Sequence, residues 1–332
     1  MNKGSIQEMN TIGIDVSKAK IDCAWLREEG KLKFKVLPNT KAGCNELIEW
    51  SLKSTSLEIT QLHFIMEATG VYHEQLAIQL HNAGAMVSVV NPAQVKFYSQ
   101  GLGVRTKNDK KDSAILARYG LKESPKAWQP EPVEIRTLKA LIARFDGIEK
   151  DLQREKNRQE KAVISKAPQE VLNSITQMIE LLETEQKRLD KLIEDHINKH
   201  EELKKNKELL KSIPGVGKVI ATRILMVIGS RDFKSASQCS AYLGLVPVEH
   251  ESGSSIRGRP RLSKAGNPII RAKLYMAAVV AIQHNPDINA QYERLTARGK
   301  SKMSALGAAM RKLVQICFGV LKHQQTYQPQ VT

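Results

Sequence analysis

Four carboxylates in the first third of the chain have the residue types and placement to hold a hard cation. Asp15 interrupts the apolar run Thr11-Ile12-Gly13-Ile14-Asp15-Val16. A buried strand excludes unpaired charge. An acid at this point is therefore paired, hydrogen-bonded, bound to a metal, or else a strand-end cap for the turn at Ser17-Lys18. Glu67 closes a second apolar run, Leu62-His63-Phe64-Ile65-Met66-Glu67. Asp109 and Asp112 stand at positions i and i+3 where a helix is expected to begin, so both carboxylates share one helix face. Two strands and one helix would thus supply a four-carboxylate cage.

The elements that must position these acids follow from periodicity. Residues 11–16, 21–26, 32–37, 62–67 and 86–90 are expected strands. In the third, Leu32, Phe34 and Val36 alternate with Lys31, Lys33 and Lys35, the period of a half-exposed strand. Helices are expected over 42–52, 72–82 and 109–121, the second ended by Ala83-Gly84. Between 90 and 109 the expectation is a loop containing Gly101, Gly103, Arg105 and Lys107. The order βββαβαβα fits a mixed sheet covered by helices.

From about residue 134 the chain becomes charged and helical. Leu138, Leu141, Phe145, Ile148 and Leu152 recur every three or four residues. After a break at Lys166-Ala167-Pro168, a heptad-like seam runs through Val171, Ile175, Met178, Leu182, Leu189, Leu192 and His196, with Glu185 interrupting it. Such a pair of helices forms either an antiparallel hairpin or an oligomerisation coil, and the apolar stripe needs a cover.

Two signals in the last third suit nucleic acid. Ile213-Pro214-Gly215-Val216-Gly217-Lys218 precedes an apolar helix over 219–228 and resembles a helix-hairpin-helix motif. Glycines before a helix leave backbone N–H groups free to face phosphate, although a plain helix–helix turn has the same composition. The stretch 251–268 combines Ser252, Ser254 and Ser255 with Arg257, Arg259, Arg261 and Lys264. It is either a basic loop giving salt-dependent affinity or an active-site loop with a serine nucleophile beside phosphate-holding arginines. Helices are expected over 269–284 and 302–323. Arg105, Lys107, Lys110, Gly215, Gly217, Lys218, Arg257, Arg259, Arg261 and Lys264 are the expected nucleic-acid contacts.

Composition agrees with a polyanionic partner. Lys and Arg total 51 against 35 Asp and Glu, a formal charge of +16 over 332 residues, which favours nucleic acid over an anionic membrane surface. No transmembrane span or signal-type apolar core is expected. Cys23, Cys44, Cys239 and Cys317 form no Cys-x-x-Cys pair and are expected as free thiols in a reducing, cytoplasmic setting. The expected divisions are an α/β domain over 1–133, coiled-coil helices over 134–206 and a mostly helical domain over 207–332.

Taken in order, Gly13-Ile14-Asp15-Val16-Ser17-Lys18, Met66-Glu67-Ala68-Thr69-Gly70, Lys107-Asn108-Asp109-Lys110-Lys111-Asp112, Ile213-Pro214-Gly215-Val216-Gly217, Ser252-Gly253 and Leu262-Ser263-Lys264-Ala265-Gly266-Asn267 resemble the motifs of a DEDD insertion-sequence transposase family. That family includes the Piv-type invertases and the bridge-RNA-guided recombinases. The resemblance covers residues 11 to 323. It implies a ribonuclease-H-like catalytic domain of the Holliday-junction-resolvase type, a coiled coil, and a C-terminal transposase domain with a catalytic serine. It also implies donor and target DNA, a bridge RNA, and a homo-oligomeric assembly, dimer or tetramer. The family pattern often has Ser-Ser-Gly where this chain has Glu251-Ser252-Gly253. Ser252 aligns with the second serine, and Ser254 and Ser255 stand nearby.

The implied chemistry is coherent. Serine attack keeps a phosphoester on the enzyme, so a second strand's hydroxyl can reverse it without an outside energy source. A serine hydroxyl needs activation, and Mg²⁺ held by Asp15, Glu67, Asp109 and Asp112 would supply it. A metal-dependent junction nuclease using water would employ the same four acids and leave Ser252 idle. An actin-like sugar kinase also opens on Gly-Ile-Asp, but Val16-Ser17-Lys18 lacks the small residues that cradle ATP phosphate.

Overall fold

Alternating apolar residues in the first third assemble a five-stranded mixed sheet. The structure, a computed structural model, describes residues 10–27, 30–68, 70–103, 108–248, 251–252, 256–257 and 261–330, with backbone alone at 251–252 and 256–257. Two units divide the chain, Met1–Pro130 and Glu131–Thr332. In the first, strands β1 (Asn10–Val16), β2 (Lys20–Leu26) and β3 (Leu32–Pro38) precede helix α1 (Lys41–Thr55). Then come β4 (Leu62–Glu67), α2 (Glu74–Asn82), β5 (Met86–Val90), α3 (Pro92–Gly101) and α4 (Asp109–Glu123). The strand order is β3-β2-β1-β4-β5. β1, β2 and β3 pair antiparallel, while β4 and β5 run parallel to β1 and to each other. This topology fits the ribonuclease-H-like fold.

The strand period of two sorts side chains to two faces. Ile12, Ile14, Ile21, Cys23, Phe64 and Met66 bury themselves with Cys44 and Leu47 of α1 and Leu76 and Leu80 of α2. Each large apolar side chain so buried contributes about 1.5–3 kcal/mol. Ile65 and Val90 pack on the other face against Val95 of α3 and Ile115, Leu116 and Tyr119 of α4. There α4 lies directly on β1. A Cβ on Gly13 would overlap the backbone of Ser113 and Ala117, and one on Gly120 would overlap Ile65 and Thr11. Glycine at both points lets helix and sheet meet at backbone distance.

Helix α3 replaces part of the expected loop. Asn91 caps it by accepting from Ala93 N at 2.9 Å, and Pro92 occupies its first turn. Asn-Pro marks a strand end, but it is equally a helix start with proline at the first helical position.

The second unit begins with a long hairpin, α5 (Val133–Ile164) and α6 (Gln169–Lys199). Its helices are antiparallel, as shown by Lys156–Glu183, Gln159–Thr176 and the bond between His196 Nε2 and Glu134 O at 2.8 Å. The buried seam of α6 is Ile179, Leu189, Ile193 and Ile197. Leu189 is buried as expected, while Ile179, Ile193 and Ile197 take the inward places expected of their neighbours Met178, Leu192 and His196. The root of the hairpin enters the core of the unit through Ile135, Leu138, Ile142, Ile193 and Ile197. Ion pairs pin the same root, among them Asp146 to Arg223, Glu149 to Lys273 at 2.6 Å, Glu194 to Lys207 and Asp190 to Lys218 at 2.7 Å.

The core continues through α7 (Glu201–Lys211), α8 (Lys218–Gly229) and α9 (Ala236–Tyr242). Four short strands follow, β6 (Pro247–Val248), β7 (Glu251–Ser252), β8 (Ile256–Arg257) and β9 (Arg261–Leu262). Three helices close the unit, α10 (Pro268–His284), α11 (Pro286–Ala297) and α12 (Lys302–His323). Among the described residues α12 is the one helix long and apolar enough to cross a membrane, with half of its apolar window buried. A helix that packs inside a core passes the same test of length and composition. The apolar face of α12, from Ala305 to Val320, packs in the common core.

Candidate metal centre and nucleic-acid surfaces

The tight turn between β1 and β2 sets the centre of the first unit. Ser17 N donates to Lys20 O at 2.9 Å, and Ser17 Oγ also bonds Lys20 O at 2.8 Å. This fixes the register, so Asp15 and Asp22 lie directly opposite each other. Helix α4 starts at Asn108, whose side chain accepts from Lys111 N at 2.8 Å. Its first turn carries Asp109 and Asp112, where the helix dipole favours carboxylates. Glu67 ends β4, one residue beyond the Ile14–Met66 pair, and so reaches the same sheet edge as Asp15.

Carboxylate oxygens of Asp15, Asp22 and Asp109 all lie within 4.8 Å of one another. Glu67 and Asp112 act on the same centre through their charge. The Asp15 carboxyl is pushed up from 3.8 to about 6, chiefly by burial and then by the fields of Asp112, Asp109, Asp22 and Glu67. Lys20 supplies a counter-charge, its Nζ 2.7 Å from Asp109 Oδ2 and 3.0 Å from Asp22 Oδ2. These neighbours hold the Lys20 ammonium above its ordinary range.

The donor set suits a hard divalent cation. All ligands are oxygens, with no sulfur or imidazole, which favours magnesium-type ions over zinc. A bound cation of this kind would be held by Asp15, Asp22 and Asp109 and would neutralise their charge. Asp22, only 8% exposed, was missed by sequence reasoning. The signal was present: Ile14 and Val16 facing Ile21 and Cys23 across a short polar turn places 15 against 22.

Other expected contacts are dispersed. Lys110 Nζ stands 4.5 Å from the Phe34 ring centre on β3. Arg105 and Lys107 lie outside the described residues, as do Ser254, Ser255 and Arg259 and the side chains of Ser252 and Arg257. In the second unit, Gly215 adopts φ +93°, and a Cβ there would overlap Ala281 of α10, so it is a packing turn. Gly217 is the N-cap of α8 and faces open space. The Lys218 ammonium is held by Asp190 at 2.7 Å and Glu194 at 3.4 Å, so a phosphate there would compete with two acids. Arg261 and Lys264 are exposed.

Within the serine segment the described residues form two short antiparallel pairs. β6 pairs with β9 through Pro247–Leu262 and Val248–Arg261. Further along, β7 pairs with β8 through Glu251–Arg257 and Ser252–Ile256. Ser252 is thus the last residue of β7. The segment is seated by Gly244 and Gly266, whose Cβ positions would overlap backbone of 264–266 and 242–243.

Comparison with known proteins places this arrangement. A family model described as transposase IS116/IS110/IS902 family matches residues 207–293, and a DEDD transposase model for IS110 elements matches residues 12–168. The pilin gene-inverting protein of Moraxella lacunata is 33% identical over 328 residues, covering 96% of this chain and 98% of its own. That of Moraxella bovis matches with the same identity and coverage. The transposase for insertion sequence element IS1111A of Coxiella burnetii is 23% identical over 356 residues, covering 97% and 92% of the two chains. An ordered acid cluster on a ribonuclease-H-like sheet and two matched models spanning both units lead to one statement: the chain belongs to the IS116/IS110/IS902 family of transposases, enzymes that cleave and rejoin DNA.

Proposed function

We propose that this chain cuts and rejoins donor and target DNA through a serine–DNA intermediate, assisted by Mg²⁺ and guided by a bridge RNA. The observation that carries the metal reading is the convergence of Asp15, Asp22 and Asp109 within 4.8 Å, with Glu67 and Asp112 biasing the same carboxyl. When bound, a divalent cation neutralises phosphate charge and makes a hydroxyl a better nucleophile. The serine Oγ–phosphorus bond forms as a phosphorus–sugar oxygen bond breaks. The proton lost by serine is balanced by the one gained by the leaving sugar hydroxyl. Attack by the hydroxyl of another strand reverses the step and releases serine. A relative that inverts a pilin gene is consistent with rejoining rather than simple cutting. The guide RNA and the contacts of Arg105, Lys107, Lys110, Gly215, Gly217, Lys218, Arg257, Arg259, Arg261 and Lys264 belong to the same proposal, supported by the charge of +16.

The test is the Ser252→Ala variant with end-labelled donor and target DNA on denaturing gels. It is expected to fold and to bind DNA and RNA, yet give no covalent adduct and no recombinant. Cutting that persists in the variant, without an adduct in either protein, would establish the water-using nuclease instead. An adduct lost only in Ser254→Ala or Ser255→Ala would move the nucleophile two or three residues along the sequence. Sequencing of RNA that copurifies with the chain tests the guide, and protein with no affinity for structured RNA at low salt would refute it.

Strand exchange joins four DNA ends, so an oligomer is part of this proposal. Leu189 is internal to the hairpin, 3% exposed, whereas Met178 (44%) and Leu181 (62%) form an uncovered stripe on α6. Replacing Met178 and Leu181 by Glu is expected to halve the mass in light scattering without loss of helicity, since it places charge in the contact. Unchanged mass would assign the hairpin a role within one copy.

A further inference from the structure

Between β3 and α1 the chain turns a rigid corner at Pro38-Asn39-Thr40. Thr40 N donates to Pro38 O at 2.9 Å. The Thr40 hydroxyl caps α1 by accepting from Gly43 N at 3.1 Å. A Cβ on Gly43 would overlap Pro38 O, so the helix start and the strand end are in backbone contact. Asn39 is therefore presented from a fixed base.

Its hydrogen bonds reach two segments that leave the carboxylates. Asn39 N donates to Ala19 O at 3.0 Å. Its side-chain Nδ2 donates to Ser17 O at 2.8 Å and to Tyr72 O at 3.1 Å. Ser17 and Ala19 form the turn that joins Asp15 to Asp22 and presents Lys20. Tyr72 lies in the segment that follows Glu67. One amide group thus spans the gap between the β1–β2 turn and the exit of β4, the two places where the sheet delivers acids to the centre. Both bonds use N–H donors, and neither a carboxylate nor an alkyl side chain can replace them.

We propose that Asn39 is a positioning residue for the metal centre, setting the spacing between the Asp15–Asp22 turn and the Glu67 exit. The role rests on the reading of the acid cluster as a divalent-cation site. Residues that orient metal ligands without touching the metal typically change affinity by about 10- to 100-fold.

The probe is Mn²⁺ alone, titrated into the full chain and counted from the electron paramagnetic resonance signal of free Mn²⁺. Asn39→Ala is expected to raise the apparent dissociation constant at least about tenfold, with unchanged far-ultraviolet circular dichroism. Amide hydrogen exchange is expected to quicken at residues 17–20 and 70–73. Asn39→Gln, which keeps both N–H donors on a longer arm, is expected to restore part of the affinity. Wild-type affinity in Asn39→Ala overturns the role of Asn39, as does a variant that fails to fold, because Asn39 would then serve the fold alone. Wild-type protein that takes up no Mn²⁺ overturns instead the metal reading beneath the proposal, so the two failures are distinct.

Discussion

Asp15→Asn protein is expected to lose strand exchange by at least about a thousandfold, an effect of about 4 kcal/mol on the barrier, while melting higher than wild type in metal-free buffer at neutral pH. The two effects share one cause. The Asp15 carboxyl sits among Asp22, Asp109, Asp112 and Glu67, and burial and these neighbours carry it from 3.8 to about 6. A carboxyl raised in the folded state favours folding fully only below its unfolded value. That contribution is lost as pH rises from about 3.8 through about 6. Such a displacement would amount to about 3 kcal/mol in a dry site. The group is only half-buried, so solvent screening leaves about 1–2 kcal/mol. The neutral amide avoids this repulsion, and the gain in melting temperature should be about 3–6 °C. At pH 4 the variant and wild type should melt together. Saturating Mg²⁺ should reverse the order at neutral pH, because only wild type keeps the full ligand set. Scanning calorimetry across pH, with and without metal, checks all three. A variant less stable than wild type in metal-free buffer at neutral pH would refute the repulsive centre.

Gly13→Ala is expected to be among the most damaging single-methyl additions in the first unit. Overpacking a core costs about 1–3 kcal/mol when side chains can adjust. Here the new Cβ meets carbonyl and amide atoms of α4 at Ser113 and Ala117, and backbone cannot rotate aside. The cost should reach or exceed the upper end, a large share of a stability of about 5–15 kcal/mol. Any relief comes by lifting α4, which carries Asp109 and Asp112 away from Asp15. Metal affinity should therefore fall along with stability. Gly217→Ala is the contrast, because open space surrounds that residue and only its N-cap role is affected, by about 0.5–1 kcal/mol. Equal melting temperatures for Gly13→Ala and wild type would show that α4 does not need this close approach.

The strands were legible because short apolar runs bounded by polar or turn residues leave a direct trace, and residues 62–67 and 86–90 match β4 and β5 end for end. Asp15, Glu67, Asp109 and Asp112 stood out as acids at the ends of apolar runs or at a helix start. Asp22 did not, because its significance depends on strand register, and register depends on how tightly the 17–20 turn closes. Helix α3 was hidden by its own start signal, since Asn91-Pro92 serves equally to stop a strand. The one-residue errors along α6 arose because Met178 and Ile179, and likewise Leu192 and Ile193, are equally apolar neighbours. Only the partner helix decides which pair faces inward. Strands β7 and β8, the first ending at Ser252, escaped notice because they have two residues each, too short for periodicity to act. The ion pairs of Lys218 join positions far apart in the chain, which no local pattern records.

Among the described residues the hairpin of α5 and α6 is fastened at its root, where Asp146, Glu149, Asp190 and Glu194 meet cations of α7, α8 and α10. Beyond residue 149 its arms pack on each other, through Leu152, Ala162, Ile179 and Leu189. The free part of α5, residues 150–164, spans about 22 Å at 1.5 Å per residue. This makes the hairpin a caliper whose opening is written in residue count. Adding seven residues to each arm would move the tip outward by about 10 Å and keep the seam in phase. The root and the core beneath it would not register the change. Reach is thus the one dimension of this unit that can drift by insertion without disturbing the rest, and it can lengthen or shorten between relatives whose cores stay alike.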